Sequence, residues 1–206
     1  MNQNIIFIGL IEEGSRRNLL RFTKEFFEIA GYNIIFRSMN NLIVYSNNKR
    51  TIILCDYVVE DLNVEESSCY NFDIVVYSSF TNNYLDTVIK LFKESKVCVY
   101  NLDAEGMIPL LASLENVIAI NYGFNNKACL TISSYNIDEH IVANLCLQRD
   151  IVPFYGERIE PFEFALEINS CDEIIIYPVL AATILNIILG NSILNKKPYN
   201  IIRLNY

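Results

Sequence analysis

The sequence carries a single histidine, His140. A histidine-based zinc site or a Ser-His-Asp triad would therefore rest on that residue alone. Basic residues are also few, 16 Lys and Arg against 24 Asp and Glu, for a net charge of −8. No long Lys/Arg run offsets the deficit. Nucleic acid and anionic membrane both need a basic face, so neither is an expected partner. The six cysteines, at 55, 69, 98, 129, 146 and 171, form no C-x-x-C pair and mostly sit in apolar runs such as "IILCD" and "KVCVY". They read as core thiols of a reducing compartment.

Long apolar runs are missing as well. The longest, "IIIYPVLAATILNIILG" from Ile174 to Gly190, falls just short of the roughly 18–20 residues of a span and contains Pro178 and Asn186. It predicts a buried helix, with no membrane span. "MNQNIIFIGL" lacks the basic start and the small-residue cleavage site of an export signal, so a cytoplasmic location is expected. Against these deficits stands a 52% hydrophobic fraction with 19% charge, enough for one substantial core in 206 residues. No repeat, low-complexity linker or clean domain boundary divides the chain. A single domain over 1–206 is expected.

Glycine is scarce, and it punctuates. Asn4–Leu10 predicts a buried strand, and Ser15–Ala30 a helix with an apolar stripe through Leu19, Leu20, Phe22, Phe26, Phe27 and Ile29, stopped by Gly31. Three short strands follow, joined by Asn-rich turns at Met39–Asn41 and Asn47–Arg50. Then come strand Phe72–Ser79, helix Asn82–Ser95, strand Lys96–Asn101, helix Glu105–Leu114 and strand Asn116–Tyr122. Alternation of this kind implies parallel strands with crossover helices, an α/β three-layer sandwich of P-loop NTPase type over 1–123. Over 124–170 the strand-like runs Lys127–Ser133, His140–Gln148 and Glu163–Ile168 have no crossover helix between them and predict a small antiparallel sheet beside the parallel one. The last helix, Tyr177–Leu189 within 171–190, has Pro178 in its first turn and Gly190 at its end. "KKPYNIIRLNY" reads as an edge strand.

One stretch carries chemistry in outline. "IGLIEEGSRRN" holds Gly9 and Gly14 at the spacing of a phosphate-binding loop between a strand and a helix. Ser15 stands where the phosphate-binding lysine belongs, and Arg16 where the Mg²⁺-binding hydroxyl belongs. Glu12 and Glu13 lie in the loop itself. Each carboxylate about 5 Å from a phosphate charge repels it by roughly 3 kcal/mol at an effective dielectric near 20. Two of them offset most of a micromolar affinity, about 8 kcal/mol. Arg16 and Arg17, cations against the helix dipole, require an anion: either the Glu12/Glu13 pair or a bound one. In "CLQRDIVPFYGERIEPFEF", Gln148, Arg149, Glu157, Arg158 and Glu160 form a polar cluster that reads as cross-strand ion pairs or a partner surface.

Several stretches, in order, resemble the central ATP-binding domain of the Mur ligases, ATP-dependent amide-forming enzymes of peptidoglycan precursor synthesis. The opening strand, loop and helix through "EIAGY" resemble that family's phosphate-loop unit. "FDIVVYSSFTNNYLDT" resembles its strand running into T-N-x-x-x-D-H-L-D, and "VYNLDAEG" its N-x-D-D turn. "AINYGFNNKACLTISS" resembles the strand, Tyr-Gly and strand that follow. "IIIYPVLAATILNIILG" resembles its N-x-x-N-x-x-A-A helix. The likeness covers nearly the whole chain, and order and spacing carry it.

The resemblance also implies which chemistry has gone. Tyr84 takes the place of the magnesium-binding histidine, and Val88 that of the carbamylated lysine. Asp56 is the one remnant of the magnesium carboxylates, and a lone carboxylate holds Mg²⁺ poorly. The flanking substrate domains are expected to be absent, because no segment for them precedes Met1 or follows Tyr206. The expectation is a pseudoenzyme with no catalytic residue, no metal and no cofactor. Its partner is another protein or a second copy, and the departures speak against ATP binding. Abundant tyrosine fits either an interface or strand packing. The alternative is a ligand-binding protein or enzyme with a remodelled pocket at the strand C-termini, lined by Arg17, Asp56, Ser78, Tyr84 and Asp86 with Arg16, open to a small acidic metabolite or a nucleotide. A composition rich in Asn, Ile and Tyr points to an AT-rich bacterial genome.

Overall fold

A computed structural model of the chain describes residues 4–39, 41–62, 71–79, 83–107, 111–191 and 201–205. Strand β1, Asn4–Glu12, lies inside the sheet, three strands from one edge. It pairs in parallel with β4 (Arg50–Val58) on one side and β5 (Ile74–Ser78) on the other. Beyond β4, the antiparallel strands β3 (Leu42–Ser46) and β2 (Asn33–Arg37) form one edge, with a bulge between Ile34 and Phe36. Beyond β5 come β6 (Val97–Asn101), β7 (Ile118–Tyr122), β8 (Leu130–Ile137), β9 (Ile141–Leu147), β10 (Phe162–Asn169) and β11 (Ile202–Asn205). All eleven belong to one sheet, ordered β11-β10-β9-β8-β7-β6-β5-β1-β4-β3-β2.

Helices cover both faces, as the alternating pattern predicts for a three-layer α/β sandwich. On one face lie α1 (Asn18–Ile29) and α3 (Ile176–Ile188), packed on each other and on the sheet. Their core includes Ile6, Ile8, Leu10, Phe22, Phe26 and Leu185, all at most 1% exposed. On the other face lies α2 (Leu85–Lys93), which buries Val88, Leu91 and Phe92 against Val75, Tyr77 and Cys98. The alternation along β1 and β5 explains the division: even-numbered positions face α1, odd-numbered ones α2. The strands are flanked on both sides and hence apolar throughout, as in other covered parallel sheets.

The structure departs from expectation in two places. The antiparallel strands after residue 124 do not form a separate sheet. The backbone pairing of Tyr122 with Leu130 joins β7 to β8, and the sheet continues to β11. The first helix starts at Asn18 rather than Ser15, because Arg17 adopts a left-handed conformation (φ 54) that no right-handed helix contains. The expected helix over Glu105–Leu114 lies partly outside the described residues, at 108–110. Other elements fall within a few residues of their predicted bounds, and β11 is an edge strand. Cys55, Cys98 and Cys129 are buried free thiols, whereas Cys171 is exposed and Cys69 lies outside the described residues.

Candidate functional site

The C-terminal ends of β1, β4 and β5 meet the N-terminus of α1, where an open α/β sheet turns its chain direction from one edge to the other. The phosphate-loop spacing does not survive there. Gly9 is a mid-strand residue, paired with Cys55 and Val75, and β1 runs three residues past it. A Cβ at Gly9 would stand 3.3 Å from the Phe72 ring, so this glycine answers a packing need. The loop proper is only Glu13–Arg17. Within it Gly14, Ser15 and Arg16 are exposed.

Glu12, the last residue of β1, is 5% exposed and reaches the helix end. Its Oε2 accepts the Leu19 N–H at 3.0 Å. The first turn of a helix leaves its N–H groups unpaired and carries a partial positive charge, which makes it an anion site. α1 has no capping side chain at Arg17 and no acid in its first turn, so Glu12 supplies the anion from seven residues back. Burial pushes the Glu12 carboxyl up to about 7; the Leu19 and Asn18 N–H groups and Arg17 oppose that rise, and Asp56 adds to it.

A second carboxylate completes the substitution. Glu60, in the 3-10 turn Val59–Asp61 after β4, accepts the Gly14 N–H through both oxygens, at 3.0 and 3.3 Å. The loop amide and the helix-end amide that a phosphate would use are both bonded to the chain's own carboxylates. Sequence reasoning placed Glu12 and Glu13 in the loop as charges facing a phosphate and missed Glu60. Glu13 instead donates its N–H to the Ser78 carbonyl at 3.4 Å and accepts the Tyr77 hydroxyl at 3.5 Å. The signal for Glu60 was the acid pair closing "VVED"; only the β1–β4 register brings it to Gly14.

The arginines do not pair with Glu12 and Glu13, as one expectation had it. Arg17 Nη1 donates to Oδ2 of Asp56, which is 3% exposed. Arg16 Nη1 reaches Asp172 Oδ2 at 3.0 Å, ahead of α3. That second pair is largely solvated and worth little. Burial raises the Asp56 carboxyl despite Arg17, and its Oδ1 is buried with no hydrogen-bond partner among the described residues. The buried carboxyls of Glu12 and Asp56 thus lie under α1, with the partly exposed Arg17 paired to Asp56.

The remaining pocket candidates do not converge. Ser78 lies beside Glu12 in register and is buried on the α1 face. Tyr84 and Asp86 belong to the start of α2 on the opposite face, Tyr84 packed into the core there and Asp86 exposed in the first turn. Val88 is a core residue of the same helix, 1% exposed. Among the described residues, no three or more His, Cys, Asp or Glu side chains come close enough to hold a metal ion. No helix among them is long and apolar enough to cross a membrane. His140 lies 3.9 Å from Glu167, far along the sheet at β9 and β10. In the polar cluster near Gln148, Arg158 pairs with Asp150 beside the Ile151–Ile159 bridge.

The arrangement matches solved proteins closely. A UDP-N-acetylmuramoyl-L-alanyl-D-glutamate–2,6-diaminopimelate ligase superposes with a TM-score of 0.69 over 97% of this chain and 47% of its own, at 16% identity. The fold is that of the Mur ligase central domain. The MurF ligase from Acinetobacter baumannii gives a TM-score of 0.65 over 93% of this chain and 45% of its own, at 8% identity. The MurF ligase from Thermotoga maritima, solved in complex with ADP, gives 0.61 over 95% and 49%, at 10% identity. The chain therefore spans about half the length of these Mur ligases. No protein-family model matches the sequence, and no curated protein matches it. Identities this low show the fold alone.

Proposed function

We propose that this protein is a non-catalytic version of the Mur ligase ATP-binding unit, working by binding or assembly in the cytoplasm of a bacterium, in connection with cell-wall precursor metabolism. One observation carries the reading: Glu12 and Glu60 bond the Leu19 and Gly14 amides, so the anion cradle is filled from within. A triphosphate would have to displace two carboxylates and then face them, without a lysine at Ser15. The cell-wall connection rests on the fold neighbours, whose names describe ligases of muramoyl peptides.

The assembly role has its own support at the sheet edge. Every residue of β2 is exposed, and Ile34, Ile35 and Phe36 are each at least 47% accessible. An apolar edge strand with a free row of backbone groups is a template for pairing with another chain. A second copy is the partner this edge fits best. The test joins two measurements on the same chain. Calorimetric titration with ATP–Mg²⁺ and with UDP-sugars is expected to give no heat of binding. Light scattering is expected to give a mass above the 23.7 kDa of one chain. Micromolar ATP–Mg²⁺ binding by a monomer overturns both halves.

A further inference from the structure

We propose that the recess between β7, β8 and the start of α3 takes an organic ammonium group. This recess, about 410 Å³, is lined by Phe124, Tyr135, Glu173, Ile174 and Tyr177. Phe124 meets both tyrosines in T-shaped contacts, at centroid distances of 5.7 Å to Tyr135 and 5.2 Å to Tyr177, with interplanar angles of 63° and 65°. Three aromatic rings therefore wall one small space.

Both tyrosine hydroxyls are committed to carboxylates. Tyr135 donates to Glu173 Oε1 at 2.7 Å, and Tyr177 to Asp103 Oδ2 at 3.2 Å. Asp103 is itself fixed, accepting the Phe124 and Asn125 N–H groups at 2.6 and 3.1 Å. Gly123 permits that closure, because a Cβ there would stand 2.6 Å from Asp103 Oδ2. A phenol that donates to a carboxylate gains electron density in its ring, and the ring face then attracts cations more strongly. Burial and Asp103 keep the Tyr177 hydroxyl protonated well above its ordinary range, and the Glu173 bond also raises the Tyr135 hydroxyl. No lysine or arginine lines the recess. The nearby Arg16 is drawn to Asp172. What a guest meets is aromatic rings within a field set by Glu173 and Asp103, with no lysine or arginine in the lining. An anion is repelled by the same field, and a neutral guest gains only apolar contact.

The ammonium could come from a small quaternary amine or from a lysine side chain of a protein, and two probes separate these sources. The full chain is titrated with choline, with its neutral isostere 3,3-dimethyl-1-butanol, with Nα-acetyl-lysine amide and with adenosine, following tyrosine fluorescence. Saturable binding of choline or the lysine amide is expected, at least about tenfold tighter than of the neutral isostere. The tighter of the two cations identifies the source. Tyr135→Leu and Glu173→Gln are both expected to weaken binding about tenfold. Both positions are exposed, so the thermal midpoint should stay unchanged. Equal affinity for the neutral isostere, tighter binding of adenosine, or no saturation by either cation up to about 100 mM overturns the proposal. The recess shares no residue with the loop at Glu12, so its failure leaves the loop reading intact, and the reverse also holds.

Discussion

The Glu12 carboxylate and the Leu19 amide meet at 3.0 Å across the turn that joins the central strand to its helix. Strand and helix are thereby locked by the contact that, in a nucleotide-binding loop, a phosphate would make. The site is an anion cradle filled by the chain's own carboxyl group.

Burial of the Glu12 carboxyl, which the Leu19 contact only partly offsets, makes stability depend on pH. The folded Glu12 holds its proton up to about 7, against an ordinary value of 4.5. Between those values the folded state binds a proton that the unfolded chain has released. Stability is therefore full below about pH 4.5 and declines as pH rises to 7 and past it, by about 3 kcal/mol for this group. The raised Asp56 carboxyl acts in the same direction. Urea unfolding at pH 5, 6, 7 and 8 should show the decline, and Glu12→Gln should flatten most of it. An unchanged slope in the variant would place the dependence elsewhere.

Arg17→Ala should cost about 2–3 kcal/mol, toward the lower end for a broken buried pair, since Arg17 is partly solvated and Asp56 is not. Asp56 keeps no other bonded partner among the described residues, so the loss should grow as pH rises and its carboxylate ionises. Thermal unfolding of Arg17→Ala and of Arg17→Ala with Asp56→Asn measures this. The second change should restore a good part of the loss.

Gly9→Ala tests whether that glycine serves packing or a ligand. Its new Cβ meets the Phe72 ring at 3.3 Å, so a loss of about 1–2 kcal/mol is expected, recovered in part by Phe72→Leu in the same chain. A glycine kept for backbone approach to phosphate would show no such coupling to Phe72.

At the edge, Ile35→Lys places a charge in the middle of β2, a device natural sheets use to block edge pairing. Light scattering should report a larger species for the natural chain and a monomer for the variant, with the thermal midpoint of the fold little changed. Monomers in both would remove the β2 edge from the account.

How much of this was legible beforehand follows from the reach of each interaction. Strand and helix identities were local: the runs around Ile8, Val76 and Val99 and the stripe through Phe22 and Phe26 declare themselves by period and length. The order of motifs was enough to indicate the Mur fold. The continuity of the sheet was not legible, since it turns on the single pairing of Tyr122 with Leu130. Nor was the filling of the cradle. Glu60 lies 46 residues from Gly14, and Asp56 lies 39 from Arg17. Both contacts need the parallel register of β1 on β4. The left-handed Arg17 gave no signal either, because arginine rarely takes that conformation. Tyr84 and Asp86 were grouped with Arg17 as the lining of one pocket at the strand C-termini, and the sheet between α1 and α2 keeps them apart.

The most direct test follows the Gly14 and Leu19 amide resonances of labelled protein during a titration with ATP–Mg²⁺ into the millimolar range. The account predicts that neither moves with nucleotide, and that Leu19 shifts with pH about a midpoint near 7 as Glu12 ionises. Saturable shifts of both amides on adding ATP–Mg²⁺, with a rise of about 5–10 °C in Tm at a hundredfold excess over Kd, would contradict it.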